Sequence, residues 1–163
     1  KNVDRVYILG GRNSVPTDVE NAINNTGGGT NPISNKREAI VNLAMKQLNK
    51  PYLWGATGPN SFDCSGLVYY VYKNAISMTI ARTSKAQSTL GKKISKSSVR
   101  PGDLVFFATG SGPEVTYVGI MINNNEFISA EGDKNNPKYV SRGSISMPYW
   151  SSKVVSYRNL LND

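Results

Sequence analysis

The chain has no histidine and only one cysteine, Cys64, among its 163 residues. A single cysteine cannot form an intrachain disulfide, which excludes a disulfide-stapled fold. One thiol, no histidine and no spaced carboxylate cluster predict neither a metal site nor a cofactor. The missing histidine also removes the base that usually activates a catalytic thiol.

Long hydrophobic runs are lacking as well. No apolar run approaches the roughly 18 residues that a membrane span requires, so we expect no span. The chain opens at Lys1 without a methionine and without a charged start followed by an apolar stretch. We therefore expect a piece of a longer or processed protein, with no signal peptide in the given sequence. Apolar residues make up 39% of the chain, which is enough for a core.

The chain is short of negative charge, and its formal net charge is +8. Charges balance within residues 1–26, so the excess lies in residues 27–163. A basic surface favours polyanions, such as nucleic acid or acidic, phosphate-rich cell-wall polymers. No basic run interleaved with aromatics and no nucleic-acid-binding motif is present, so we expect no nucleic-acid partner. A merely solvated basic face is the alternative.

The first 33 residues predict a small module and a linker. Residues 3–9 are rich in β-branched and aromatic side chains and predict a strand, and residues 17–23 begin with a capping box and predict a short helix. These two elements cannot bury a core alone. Residues 27–33 are rich in glycine and predict a flexible linker, so we place a module boundary after residue 26.

Residues 34–163 predict one α+β domain. Apolar positions at helical spacing predict a helix from Ser34 to Leu48, and a second helix directly after Cys64. Apolar runs predict strands over 104–107, 115–122, 126–130 and 154–159, with a tight turn at 123–125. A helical half followed by a meander-like half is an α+β layout.

Cys64 lies in the sequence Asp63-Cys64-Ser65-Gly66, at a predicted loop-to-helix junction. A thiol in the first turn of a helix faces unpaired N–H groups and the positive end of the helix dipole. Both features favour the thiolate and predict a lowered pKa. The position is typical of a catalytic nucleophile; a small buried structural cysteine is the alternative.

Four motifs in order carry a resemblance to a known family. Trp54-Gly55 with Phe62-Asp63-Cys64-Ser65-Gly66-Leu67-Val68 resembles the nucleophile motif of the NlpC-type cell-wall peptidases. These are papain-like cysteine endopeptidases that cut peptidoglycan stem peptides. Three further segments follow in the family's order: Arg82-Thr83-Ser84 with Gln87, Pro101 to Phe107, and Val118-Gly119-Ile120 with Phe127-Ile128. The resemblance implies a papain-like α+β fold over residues 34–163, with a helical half packed on a central antiparallel sheet.

Both histidine positions of that family are substituted here. The resemblance puts the base directly before Val-Gly-Ile, at Tyr117, and the residue that orients it on the next strand, at Ser129. A tyrosine has an unperturbed pKa of about 10, so neutral Tyr117 is a poor proton acceptor near pH 7. Ser129 has no imidazolium to stabilise. Ala56 and Ala81 are smaller departures, where the family usually has glycine and proline.

Other residues are candidates for the same site. Glu131 would share a strand face with Ser129 and is the best replacement base, with a solvated loop carboxylate as the alternative. Tyr52 has a family-like place near the nucleophile and either contributes an oxyanion or substrate contact or simply packs. The resemblance also implies substrate contacts from the motif residues Trp54, Asp63, Ser65 and Arg82, and Asp63 would repel a thiolate at Cys64.

The segment from Val3 to Gly11, with the helix through Ile23, resembles the end of a cell-wall-binding repeat of Gram-positive surface proteins. It covers residues 1–26 and implies an extracellular, cell-wall-associated protein. The whole sequence predicts a peptidoglycan stem-peptide endopeptidase-type domain whose activity is weak or lost, because both family histidines are replaced. The alternative is a non-catalytic module that binds cell-wall peptides or muropeptides in the retained cleft. Stem peptides and anionic wall polymers are the expected partners.

Overall fold

A computed structural model describes residues 32–163, and Ile33–Asp163 form one compact unit. The strand predicted over 3–9, the helix over 17–23, the repeat and most of the linker lie outside the described residues. The helices are α1 (Pro32–Lys46), α2 (Cys64–Ile76), α3 (Ser84–Gln87) and α4 (Pro148–Ser151). The strands are β1 (Lys92–Ile94), β2 (Leu104–Phe107), β3 (Tyr117–Met121), β4 (Glu126–Gly132), β5 (Pro137–Ser144) and β6 (Val154–Asn159).

Both long helices were predicted, with small differences at their ends. Helix α1 begins at Pro32, so the last two residues of the predicted linker belong to the helix. Helix α2 begins at Cys64 itself, because the Asp63 side chain caps it by accepting a hydrogen bond from the N–H of Gly66. It ends at Ile76, where Ser77 takes a left-handed conformation.

All six strands form one antiparallel sheet in the order β1-β6-β2-β3-β4-β5. The bounds of β2 and β6 are those predicted, whereas β3 is shorter and β4 runs on to Gly132. Strands β1 and β5 were not predicted. They lie at the two edges of the sheet, and most of their residues are not buried, so they lack the apolar alternation that marks a covered strand.

The sheet separates two apolar clusters, because successive residues of a strand face opposite sides. One face of β2 and β3 packs with α1 and α2 through residues such as Phe106, Ile120 and Leu67. The other face carries an aromatic cluster that includes Phe107, Tyr117, Phe127 and Trp150. Cys64 contacts both clusters, since the start of α2 lies beside the start of β3.

Within residues 32–163, no helix combines the length and the apolar character that a bilayer span needs. The same residues contain no group of three or more cysteine, aspartate or glutamate side chains arranged to hold a metal ion.

Candidate active site

A cleft of about 660 Å³ opens at the N-terminal end of α2. Cys64 and Tyr117 both line it, so the fold brings together the predicted nucleophile and the residue at the family's base position. Five predicted substrate residues also line it: Tyr52, Trp54, Asp63, Ser65 and Arg82. Ser129 does not line the cleft, but its Oγ contacts the hydroxyl of Tyr117.

Asp63 connects the nucleophile loop, α2 and Arg82 through hydrogen bonds. Its Oδ1 accepts from the Gly66 N–H at 2.7 Å, and its Oδ2 accepts from the Gly55 N–H at 2.9 Å. Arg82 Nη2 donates to the same Oδ2 at 2.8 Å, while Arg82 Nη1 donates to Ser65 Oγ, also at 2.8 Å. The carboxylate is therefore occupied by holding the nucleophile loop against α2.

Gly66 is required by this close packing. A Cβ at this position would lie 2.0 Å from the Ala56 carbonyl oxygen and 2.8 Å from Asp63 Oδ1. Any side chain would push the loop away from the helix and break the Asp63 cap. The requirement for glycine at this position of the nucleophile motif is therefore steric.

The Cys64 thiol is half-buried, and its Sγ lies 4.0 Å from the carbonyl oxygen of Thr116. Burial raises the pKa of Cys64 to about 11, and the negative charge of Asp63 adds to this. Backbone N–H groups of Val118 and Ser65 and the charge of Arg82 oppose the rise without cancelling it. The expectation of a lowered pKa is therefore wrong, because loss of hydration outweighs the helix end. At neutral pH the group is a thiol.

Tyr117 is buried, and its hydroxyl is already bonded. Its Oη lies 2.6 Å from Ser129 Oγ and 3.3 Å from the Ala130 carbonyl oxygen. Its ring stacks on Trp150, with centroids 5.2 Å apart. Burial raises the pKa of Tyr117 well above 10, and only the Ser129 hydrogen bond acts noticeably in the other direction. The side chain is thus a fixed, neutral phenol and cannot accept the Cys64 proton at neutral pH.

Tyr52 and Trp54 are aromatic residues that line the cleft. Tyr52 is buried, and loss of hydration, with smaller effects of Cys64 and Asp63, raises its pKa to about 12. The Tyr52 hydroxyl is therefore neutral, and Tyr52 lines the same cleft as Cys64. Trp54 is 64% exposed, although burying a tryptophan is normally favourable. An aromatic side chain held open at a cleft rim is suited to packing on a ligand.

Glu131 does not line the cavity of Cys64. It lines an adjoining cavity of about 220 Å³, which shares Thr109, Tyr117, Gly132 and Asp133 with the first. Its carboxylate accepts from Ser141 Oγ at 3.1 Å and lies 3.9 Å from Lys138 Nζ. A β-bulge between Ala130 and Gly132 interrupts the strand at this point, so the regular alternation assumed from the sequence does not apply.

The sequence did not indicate several residues of the site. Thr109, Thr116 and Asp133 line the cleft from loops, and Trp150 packs behind Tyr117 from the four-residue helix α4. Loop residues carry no periodic signal. Trp150 follows Pro148 at a helix start, but a helix this short has too few positions to show a pattern.

The thiol has no proton acceptor at the position of Tyr117. Nucleophilic catalysis by a thiol needs a thiolate and a group that takes and returns its proton. Cys64 is protonated, and Tyr117 is bonded elsewhere and neutral. The cleft also holds the fixed Asp63–Arg82 pair and the aromatic residues Tyr52 and Trp54.

Comparison with known proteins identifies the fold. Residues 49–159 match the model of the NlpC/P60 family. The chain belongs to the NlpC/P60 family. Its α+β, papain-like fold, with helices on an antiparallel sheet, is that of the family's solved structures.

Two relatives of the NlpC/P60 chain are named as endopeptidases. It is 43% identical over 145 residues to the probable endopeptidase p60 of Listeria grayi, covering 89% of this chain and 26% of that protein. It is 35% identical over 127 residues to the murein DD-endopeptidase MepH of Escherichia coli, covering 76% of this chain and 46% of that protein. The chain thus spans less than half of either relative.

A solved structure agrees in shape. NlpC2 from Trichomonas vaginalis superposes with a TM-score of 0.69 at 32% identity, over 78% of this chain and 48% of that one.

The raised pKa of Cys64 has a direct chemical consequence. Because only the thiolate is alkylated, we expect slow labelling by iodoacetamide at pH 7, with a rate that rises steadily to about pH 11. The measurement is the labelling rate of the single thiol between pH 6 and pH 11, read by mass spectrometry. The same chain unfolded in denaturant is the control and should show a midpoint near 8.5. A folded-state midpoint below that of the unfolded chain would contradict the assigned state of the thiol.

Proposed function

We propose that this domain binds peptidoglycan stem peptides in the Cys64 cleft and no longer hydrolyses them at an appreciable rate. The observation that carries the proposal is the hydrogen bond between Tyr117 Oη and Ser129 Oγ. It joins the two family histidine positions into a neutral pair. The pair has no proton acceptor for Cys64 and no cation to stabilise its thiolate.

Loss of turnover does not require loss of the cleft. Asp63, Ser65 and Arg82 form a closed set of hydrogen bonds that does not depend on either histidine position. The cavity volume of about 660 Å³ lies within the range of ordinary ligand sites. A peptide in this cleft would contact Tyr52 and Trp54 and the loop residues Thr109 and Asp133.

The names of the relatives support peptidoglycan stem peptides as the class of ligand. One is called a murein DD-endopeptidase and another a probable endopeptidase, and this chain retains their family's nucleophile motif around Cys64. On this proposal the domain acts outside the cell, at the wall. The N-terminal segment 1–26, the linker after it and the domain from residue 34 would then be parts of one wall-associated protein.

Weak residual hydrolysis is the second candidate. The retained Cys64 in an intact motif favours it, because a purely structural position would not need a thiol facing the cleft. In that case Tyr52 would donate its hydroxyl to the developing oxyanion, and water would take the thiol proton slowly. The two candidates share the same ligand and differ only in turnover.

The experiment is calorimetric titration of a synthetic stem tetrapeptide into the whole chain. We expect saturable binding and weakening by about tenfold in Trp54→Ala, because aromatic side chains contribute most at binding sites. Leu53→Ala is the matched control, since Leu53 is 57% exposed and adjacent but does not line the cleft. Binding that is absent, or equally weakened in both variants, would overturn the proposal.

A further inference from the structure

A second groove lies away from the Cys64 cleft, at the edge of the sheet. It has a volume of about 560 Å³ and runs along β1 and the 3-10 turn Lys96–Ser98. Its lining includes Lys92, Lys93, Arg100 and serines 95, 97 and 98, and Lys96 adjoins this lining in the 3-10 turn. The groove shares no lining residue with the cleft.

The cations of this edge are largely uncompensated. Lys92, Lys93 and Lys96 are exposed, and none forms an ion pair with a carboxylate of residues 32–163. Lys93 lies directly opposite Arg158 on the neighbouring strand, and like charges in that position repel. Arg158 Nε is buried without a hydrogen-bond partner among the described residues. The edge strand thus carries unbalanced positive charge.

The single acid of the groove is already committed. Asp163 accepts from Arg37 Nη2 at 2.8 Å and from Asn159 Nδ2 at 2.7 Å, and it also pairs with Arg100. The Arg37 hydrogen bond holds the pKa of Asp163 far below its usual range, so this carboxylate stays charged and bonded. Asp163 does not neutralise Lys92, Lys93 or Lys96, so these three lysines can pair with an external anion.

We propose that this basic groove, lined by Lys92, Lys93 and serines 95, 97 and 98 and adjoined by Lys96 of the 3-10 turn, binds a linear polyol-phosphate polymer. Ammonium groups pair with phosphate oxygens, and the serine hydroxyls can donate to the same oxygens. The groove is shallow and open along an edge strand, which fits several weak contacts along a chain rather than one enclosed phosphate.

A nucleic acid fits this groove less well. Single-stranded nucleic acids bind where bases stack on aromatic side chains, and the groove lining contains no aromatic residue. A polyol-phosphate offers the same phosphodiester charge without bases to stack. Because the groove and the cleft share no residue, polymer binding does not rest on peptide binding, and either one can fail alone.

The test is binding of a fluorescent glycerol-phosphate oligomer to the whole chain, followed by anisotropy at low and physiological salt. We expect binding that weakens with salt and falls by about tenfold in the triple variant Lys92→Ala/Lys93→Ala/Lys96→Ala. The matched control is Lys36→Ala/Lys46→Ala/Lys73→Ala, which removes three exposed lysines from α1 and α2 and should change binding less than about twofold. Cys64→Ala should bind the oligomer as the wild type does.

Several results would overturn the groove assignment. Equal losses in both triple variants would mean that net charge alone attracts the polymer. Equal affinity for polyglutamate would show that phosphate is not recognised, and tighter binding of single-stranded DNA would assign the groove to nucleic acid. Both triple variants replace only exposed lysines, and their unfolding curves should match that of the wild type, so a lost fold would not be mistaken for lost binding.

Discussion

Replacing Tyr117 by histidine is expected to raise the rate of stem-peptide hydrolysis by about 10²–10⁴-fold, which is the usual contribution of a positioned base. An imidazole in this place could donate one N–H to Ser129 Oγ or to the Ala130 carbonyl, the two partners of the present hydroxyl. Its other nitrogen would remain for the proton of Cys64. The imidazolium that forms would stabilise the thiolate and lower the pKa of Cys64 from about 11.

The rate is measured by chromatography of products from a defined muropeptide. Two controls isolate the base. Tyr117→Phe removes the hydroxyl and adds no acceptor, so it should gain nothing. Tyr117→His/Cys64→Ala has the base and lacks the nucleophile, so it should be inactive. A Tyr117→His variant that folds and is no faster than the wild type would refute the role assigned to position 117.

Replacing Trp150 by alanine is expected to lower the free energy of unfolding by about 3–5 kcal/mol, as is usual for a buried tryptophan. Trp150 contacts the rings of Phe107, Phe127 and Tyr117, with centroids 4.8, 5.3 and 5.2 Å away. Trp150 is 9% exposed, so its removal leaves a large cavity in the aromatic cluster. The loss would also free the ring of Tyr117.

The matched control is the other tryptophan. Trp54 is 64% exposed, so Trp54→Ala should change the free energy of unfolding by no more than about 0.5 kcal/mol. Urea denaturation followed by circular dichroism gives both values without relying on tryptophan fluorescence. Similar losses in the two variants would mean that the Trp150 cluster does not stabilise the domain as its burial indicates.

The sequence predicted the elements of the fold that have a strong pattern of apolar residues. The apolar faces of α1 and α2 and the runs that became β2 and β6 are covered elements, and burial forces a periodic pattern on such elements. Edge strands escape this rule. Strand β1 is Lys-Lys-Ile and β5 contains proline, arginine and glycine, so neither has an apolar face to detect.

The sequence predicted which residues belong to the site, but not the environment of each residue. The motifs place Cys64, Asp63 and Arg82 in one region, but spacing does not reveal hydration or hydrogen-bond partners. The pKa of Cys64 depends on how deeply the sheet and helix cover it, and that depth is a property of packing. Likewise, the expected reach of Glu131 assumed a regular strand, and the bulge after Ala130 carries its side chain to the adjoining cavity.

The central claim is that the cleft retains its ligand and has lost its turnover. Its most direct test is product release from a defined muropeptide by the wild type and by Cys64→Ala, at equal concentration and near neutral pH. We predict that the two rates are indistinguishable while calorimetry shows that the wild type binds the stem peptide. Product released by the wild type well above the Cys64→Ala rate would contradict the claim and would mean that Cys64 is deprotonated by a group other than Tyr117.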